Sequence, residues 1–223
     1  MKKLSMLFVA LISLSVVFTS CENDEPKLVD INVKVVDGSN YDGKIDLVQA
    51  YAYGENDEIL VGEAKYQNGG FNMKLNAVLS SNLMSIDNDD LPENIKVSDK
   101  TAKVAAVESF LALKDNDEIG MFICTNLSLS SLLGGGGVDN MSVIAYFYTD
   151  KDLKITGTES KDDYTAKFDV SLKMGWNTVV VNTSRNSLSV TSVKKIPSDY
   201  KWYFIPHDGD FYSIMPNVKS FLK

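Results

Sequence analysis

The side chains with catalytic potential are few. His207 is the only histidine, and it sits in Pro206-His207-Asp208-Gly209-Asp210, a run that reads as a turn. Any Ser-His-Asp or Cys-His site has to use it, since a weak nucleophile needs an adjacent base. No G-x-S-x-G elbow is present. The two cysteines are Cys21 and Cys124. One histidine and two widely separated cysteines do not make a zinc-ligand pattern. Asp and Glu are plentiful, but glycoside hydrolysis needs two carboxyls across a cleft, and turns select acids on their own. Three runs, Asp87-Asn88-Asp89-Asp90, Asp115-Asn116-Asp117-Glu118 and Asp208-Gly209-Asp210, offer several oxygens each. None follows the twelve-residue EF-hand order, so they read as turns and not as calcium loops. We therefore expect no catalytic residues, no metal and no cofactor.

Aromatic residues are the better hint of a surface that binds. Trp176, Tyr200, Trp202, Tyr203, Phe204, Phe211 and Tyr212 concentrate in the second half. Trp176 opens a strand and reads as core. Tyr200, Trp202 and Tyr203 are the candidate ligand-binding residues, because an exposed aromatic face stacks on sugar rings. The competing expectation is that Trp202 and Phe204 share one strand face and pack inward. Cys124, in Met121-Phe122-Ile123-Cys124, reads as a small buried hydrophobe.

The N-terminus carries an address. Lys2 and Lys3 precede an apolar run over residues 4–18, broken only by serines, and Phe18-Thr19-Ser20-Cys21 closes it. A basic head, an apolar run and a small-residue exit are the layout of a secretory signal peptide. The run is shorter than the ~20 residues of a membrane-spanning helix. The exit resembles the bacterial lipobox, which implies cleavage before Cys21 and a diacylglyceryl group on its sulfur. Such an anchor is held by at least two acyl chains, at about 0.8 kcal/mol per buried methylene. Lipidation also leaves Cys124 without a disulfide partner. Cys21-Glu22-Asn23-Asp24-Glu25-Pro26 then reads as a solvated acidic tether. An acidic cluster at this place resembles the surface-export signal of Bacteroidetes lipoproteins. It implies an outer-membrane lipoprotein displayed at the cell surface, with a periplasm-facing orientation as the alternative.

Removing Lys2 and Lys3 with the leader changes 22 basic and 30 acidic residues into 20 and 30, a formal −10. That charge, with no basic stripe, argues against nucleic acid as a partner. The chain is 44% hydrophobic, and the ~200 residues left after the leader can bury a core.

The elements that have to position any site are strands. Residues 28–36 alternate apolar and polar side chains with β-branched types, and 46–53, 58–65 and 70–75 follow between Gly/Asn/Asp turns. Asn68-Gly69-Gly70 supplies positions tolerant of positive φ. Residues 78–100 form a polar connection. Further strands are expected at 102–114, 118–125, 141–149, 153–158, 164–173, 175–181, 187–193 and 200–205. Gly134 to Gly137 interrupt them with a glycine-only loop. Beyond residue 20 no window of eleven residues has helical periodicity. The fold class is all-β, an antiparallel β-sandwich, as one body or two packed lobes. The segments expected are 1–20 leader, 21–27 tether, 28–90 N-terminal sandwich part, 91–206 C-terminal sandwich part and 207–223 extension.

SNYDGKIDLVQAYAY followed by NGGFNMKL is similar to the N-terminal hairpins of small secreted lipoproteins of gut Bacteroidetes. Their early part resembles a transthyretin-like or carboxypeptidase-regulatory-like sandwich. AYFYTDKDLKITGTES, YTAKFDVSLKMGWNTVVVN and KWYFIP are similar to their C-terminal half. The resemblance implies an envelope β-sandwich lipoprotein and brings no catalytic residues with it. The expected function is therefore a non-catalytic, membrane-anchored binding or adhesion module for a glycan or protein ligand. The alternatives are a glycan-binding accessory lipoprotein of a polysaccharide-uptake system and, behind it, a carbohydrate-active enzyme.

Overall fold

The computed structural model describes residues 26–55, 58–86, 92–133 and 140–207. Cys21, the leader, most of the acidic tether, the runs 87–90 and 208–210, the glycine loop and the extension beyond His207 lie outside them.

Strands dominate, as alternation with β-branched and aromatic types requires. They are β1 (Val29–Lys34), β2 (Leu47–Tyr53), β3 (Glu58–Lys65), β4 (Gly70–Leu75), β5 (Met84–Ser85), β6 (Ile95–Val97) and β7 (Lys103–Lys114). There follow β8 (Asp117–Thr125), β9 (Met141–Thr149), β10 (Leu153–Lys161), β11 (Tyr164–Leu172), β12 (Gly175–Ser184), β13 (Ser187–Ser192) and β14 (Lys201–Pro206). Among the described residues one short α-helix, α1 (Leu129–Leu133), lies between β8 and β9, and single 3-10 turns stand at Gly38–Tyr41 and Ser80–Asn82. No helix among the described residues is long and apolar enough to cross a membrane.

Turn chemistry fixes the tightest connections. β7 and β8 are joined by Asp115 and Asn116, at φ 51° and 71°, so both central residues take the left-handed conformation of a type I′ turn. Asn68 and Gly69 do the same at the β3–β4 tip, at φ 55° and 71°, where Gln67 pairs with Gly70. Both residue pairs match the turn's demand for positive φ at little steric cost.

The large sheet runs β3-β2-β7-β8-β9-β12-β13-β11-β10-β6, with β14 added to β8 and β5 to β7. β7 forks: residues 104–107 pair with β9, and 110–114 pair with β8. β1 and β4 form a separate two-stranded ribbon. Among the described strands pairing is antiparallel except that β11 and β13 run parallel, a departure from the antiparallel sheet that the turns suggest. Its cause is that β12 and β13 form a hairpin, whose second strand reaches β11 by its free edge.

Both faces of the central strands are covered. On one face Phe110, Phe122, Tyr146 and Trp176 join Ile31, Val33, Phe71 and Met73 of the ribbon in a first core. On the other, Ile123, Ala145, Phe147 and Val181 join Leu153, Leu172, Leu188 and Val190 in a second. Every residue of β9 is buried, because its alternating side chains enter the two cores in turn. The first core draws on strands from both sides of residue 90.

The ribbon is clasped at each end by later strands. Lys27 N–H donates to the Met174 carbonyl, and Trp176 N–H donates to the Lys27 carbonyl, at 3.1 and 2.8 Å. At the far end Val36 N–H donates to the Trp202 carbonyl at 2.9 Å.

Candidate functional site

The aromatic candidates do not assemble into a platform. Trp202 is 7% exposed and packs in the first core, its ring 5.2 Å from Phe110 and 6.0 Å from Phe71. Tyr203, 8% exposed, points the opposite way into the second core. Adjacent residues of a strand face opposite sides, and β14 is covered on both, so no apolar face of it is left for a ligand. Tyr200 is half-buried beside the first core, and its hydroxyl meets Ser142 Oγ. Ser142 gives its own proton to Asn182 Oδ1, so Tyr200 is the donor in that contact. Asn182 Nδ2 in turn donates to Ser189 Oγ at 3.0 Å. The chain of bonds ties β9, β12, β13 and the entry to β14 together and gives Tyr200 a bracing role.

The groups suited to nucleophilic chemistry are also committed. His207 Nε2 lies 2.8 Å from Glu118 Oε1, an ion pair when the ring is protonated. Cys124 is 1% exposed, and burial pushes its thiol up to about 12 from the usual 9.0. No cluster of three or more His, Cys, Asp or Glu suited to a metal ion occurs among the described residues. The run 115–118 makes the β7–β8 turn, braced by Asp46, which accepts from Lys114 Nζ at 2.8 Å and from Asp115 N–H at 3.1 Å.

The buried thiol sets an alkaline limit to stability. Unfolding releases Cys124 to titrate near 9.0, whereas in the fold it keeps its proton to about 12. The native state then binds the extra proton, so stability is full below pH 9 and falls between pH 9 and about 12. The slope is about 1.4 kcal/mol per pH unit for this group. Tyr66, pushed up to about 12 by burial and the nearby Asp42 charge, acts in the same direction. Urea midpoints should be level from pH 7 to 8.5 and drop by pH 11, with a shallower drop in Cys124→Ala. A level profile to pH 11 contradicts this.

A cleft lies elsewhere, on the outer side of the ribbon. It encloses about 280 Å³ and is lined by Asn32, Lys34, Lys65, Gln67, Asn68 and Asn72, over a floor of Val33, Gly70 and Phe71. Register builds it: Asn32 stands opposite Asn72, and Lys34 stands opposite Gly70. A Cβ on Gly70 would sit 2.0 Å from the Val33 carbonyl oxygen, so only glycine lets the two strands close here. Among the described residues none of the carboxamides of Asn32, Gln67, Asn68 and Asn72 has a hydrogen-bond partner, and Lys65 has no ion pair. Lys34 Nζ donates to the Asn68 carbonyl at 2.6 Å.

The rim of this cleft is held firmly. Gly69 N–H donates to Asp42 Oδ1 at 3.0 Å, Val35 N–H donates to the Gly69 carbonyl at 3.0 Å, and the buried Tyr66 hydroxyl donates to the Gly38 carbonyl at 2.9 Å. A site fixed in advance loses less conformational freedom on binding. The alternation in INVKV and FNMKL marks Asn32, Lys34 and Asn72 as outward residues, but it does not say that β1 and β4 are neighbours. A comparison of the chain with protein-family models, with curated proteins and with solved structures finds no match in any of the three.

Proposed function

We propose that this chain is a non-catalytic binding module held at the bacterial envelope by a lipid on Cys21, with the ribbon cleft as its ligand site. The observation that carries the reading is a preformed concavity whose four carboxamides have no hydrogen-bond partner among the described residues. Polar groups in that state exchange water for a ligand's hydroxyls at little cost. The pairing of His207 with Glu118 and the burial of Cys124 support binding over catalysis. The anchor rests on the basic head, the apolar run and the small-residue exit of the first twenty-one residues. The carboxamide lining favours a second, narrower reading, a glycan-binding accessory lipoprotein of a polysaccharide-uptake system facing outward from the outer membrane.

Two measurements on the full chain isolated from membranes test this. Mass spectrometry should find Cys21 as an acylated N-terminus, and a free thiol there refutes the anchor. A screen of the detergent-solubilised protein against glycan and peptide arrays should give reproducible hits that weaken in Asn32→Ala/Asn72→Ala. Hits unaffected by that variant remove the cleft from the reading.

A further inference from the structure

We infer that the ribbon cleft is built for an acidic saccharide, a hexuronate unit whose carboxylate meets Lys34 and Lys65 while its hydroxyls meet the carboxamides. The inference rests on the reading of the cleft as a ligand site and names the class of ligand.

Charge is the first argument. The whole chain is formally −8, yet the ribbon cleft has two ammonium groups and no carboxylate among its lining residues. Local charge of that sign disfavours cations and draws anions, most strongly at low ionic strength. Lys34 spends one of its three N–H donors on the Asn68 carbonyl, which holds the ammonium at the rim with two donors left. Among the described residues none accepts from Lys65, which keeps all three.

The four carboxamides narrow the class of anion. Each offers a carbonyl acceptor and two N–H donors, and a hydroxyl can meet either kind. A bare inorganic anion uses the lysines and leaves the amides unanswered. A polyhydroxylated anion uses both. Neutral sugars leave two ammonium groups without a counter-charge. Phe71 in the floor is buried, so recognition comes from hydrogen bonds and charge and not from ring stacking. The cleft, near the lower limit of the roughly 300–1,000 Å³ common for ligand sites, suits one or two sugar rings.

Calorimetric titration of the full chain in detergent tests the proposal with trimers of galacturonate, glucuronate and mannuronate, each beside its neutral methyl ester. At least one acid trimer should bind about tenfold or more tightly than its ester. That affinity should fall about tenfold in Lys65→Met and weaken on raising salt from 50 to 500 mM. Inorganic phosphate at the same concentration should not displace it. Binding of acid and ester alike, displacement by phosphate, or an unaltered Lys65→Met overturns the proposal. So does silence with all three acids. If neutral glycans or peptides alone bind and Asn32→Ala/Asn72→Ala weakens them, the acidic class fails while the binding-module reading survives. Circular dichroism of each variant separates lost binding from lost folding.

Discussion

Replacing Trp176 by alanine should lower the unfolding free energy by about 3–5 kcal/mol, the range for removing a large aromatic side chain from a packed core. Trp176 is wholly buried, and its ring meets Tyr148 edge-on at 5.2 Å. Its Nε1–H donates to the Asn76 carbonyl at 2.8 Å, which joins the start of β12 to the chain just after β4. Alanine removes the ring contacts, opens a cavity between the sheet and the ribbon, and frees that carbonyl. Trp176→Phe keeps most of the apolar volume and loses the N–H, so it should cost about 1–2 kcal/mol. Urea unfolding followed by the fluorescence of Trp202, the remaining tryptophan, separates the two. A loss under 1 kcal/mol for the alanine variant would mean that the ribbon does not cover this part of the sheet.

Gly175→Ala should be nearly as damaging, although it adds one methyl group. Gly175 has φ 93°, a conformation that costs an L-residue on the order of 1–3 kcal/mol. Its Cβ would also lie 2.2 Å from the Lys27 nitrogen and 2.4 Å from the Lys27 oxygen. These are backbone atoms and cannot rotate away, so the chain at Lys27 has to leave β12. The bonds from Lys27 N–H to Met174 and from Trp176 N–H to Lys27 go with it. We expect a total loss of about 2–4 kcal/mol, from strain and two hydrogen bonds of about 0.5 kcal/mol each at this exposed stretch of chain. Hydrogen exchange should show faster exchange at Lys27 and Trp176 than in the parent, with the β10–β11 amides unaffected. Uniform acceleration across the molecule would point to global loss of the fold.

Local features of this chain were legible before any contact was known. The strand at residues 141–149, the positive-φ turns at Asn68-Gly69 and Asp115-Asn116, and the buried positions of Trp176 and Cys124 follow from alternation, turn chemistry and residue type. Partnership was not legible. A period of two states which side chains share a face, and it is silent on what lies over that face. Trp202 and Tyr203 looked suitable for a ligand because the covering of β14 comes from residues far away in the chain. The cleft was hidden for the same reason: it exists because Asn32 and Asn72 become opposite neighbours across two strands separated by β2 and β3.

The clasp on the ribbon also bears on how the chain is made. Translation delivers β1 early, yet its two ends are fastened by residues 174–176 and 202. At ~5–20 residues per second the ribosome needs many seconds to supply them. Until then the nascent chain carries a strand whose flanking bonds have no takers. Pairings so distant along the chain slow folding, because loop closure must come first. The ribbon therefore reaches its native form only after β14 has been made, and a chain halted short of β14 leaves its first strand fastened at one end at most.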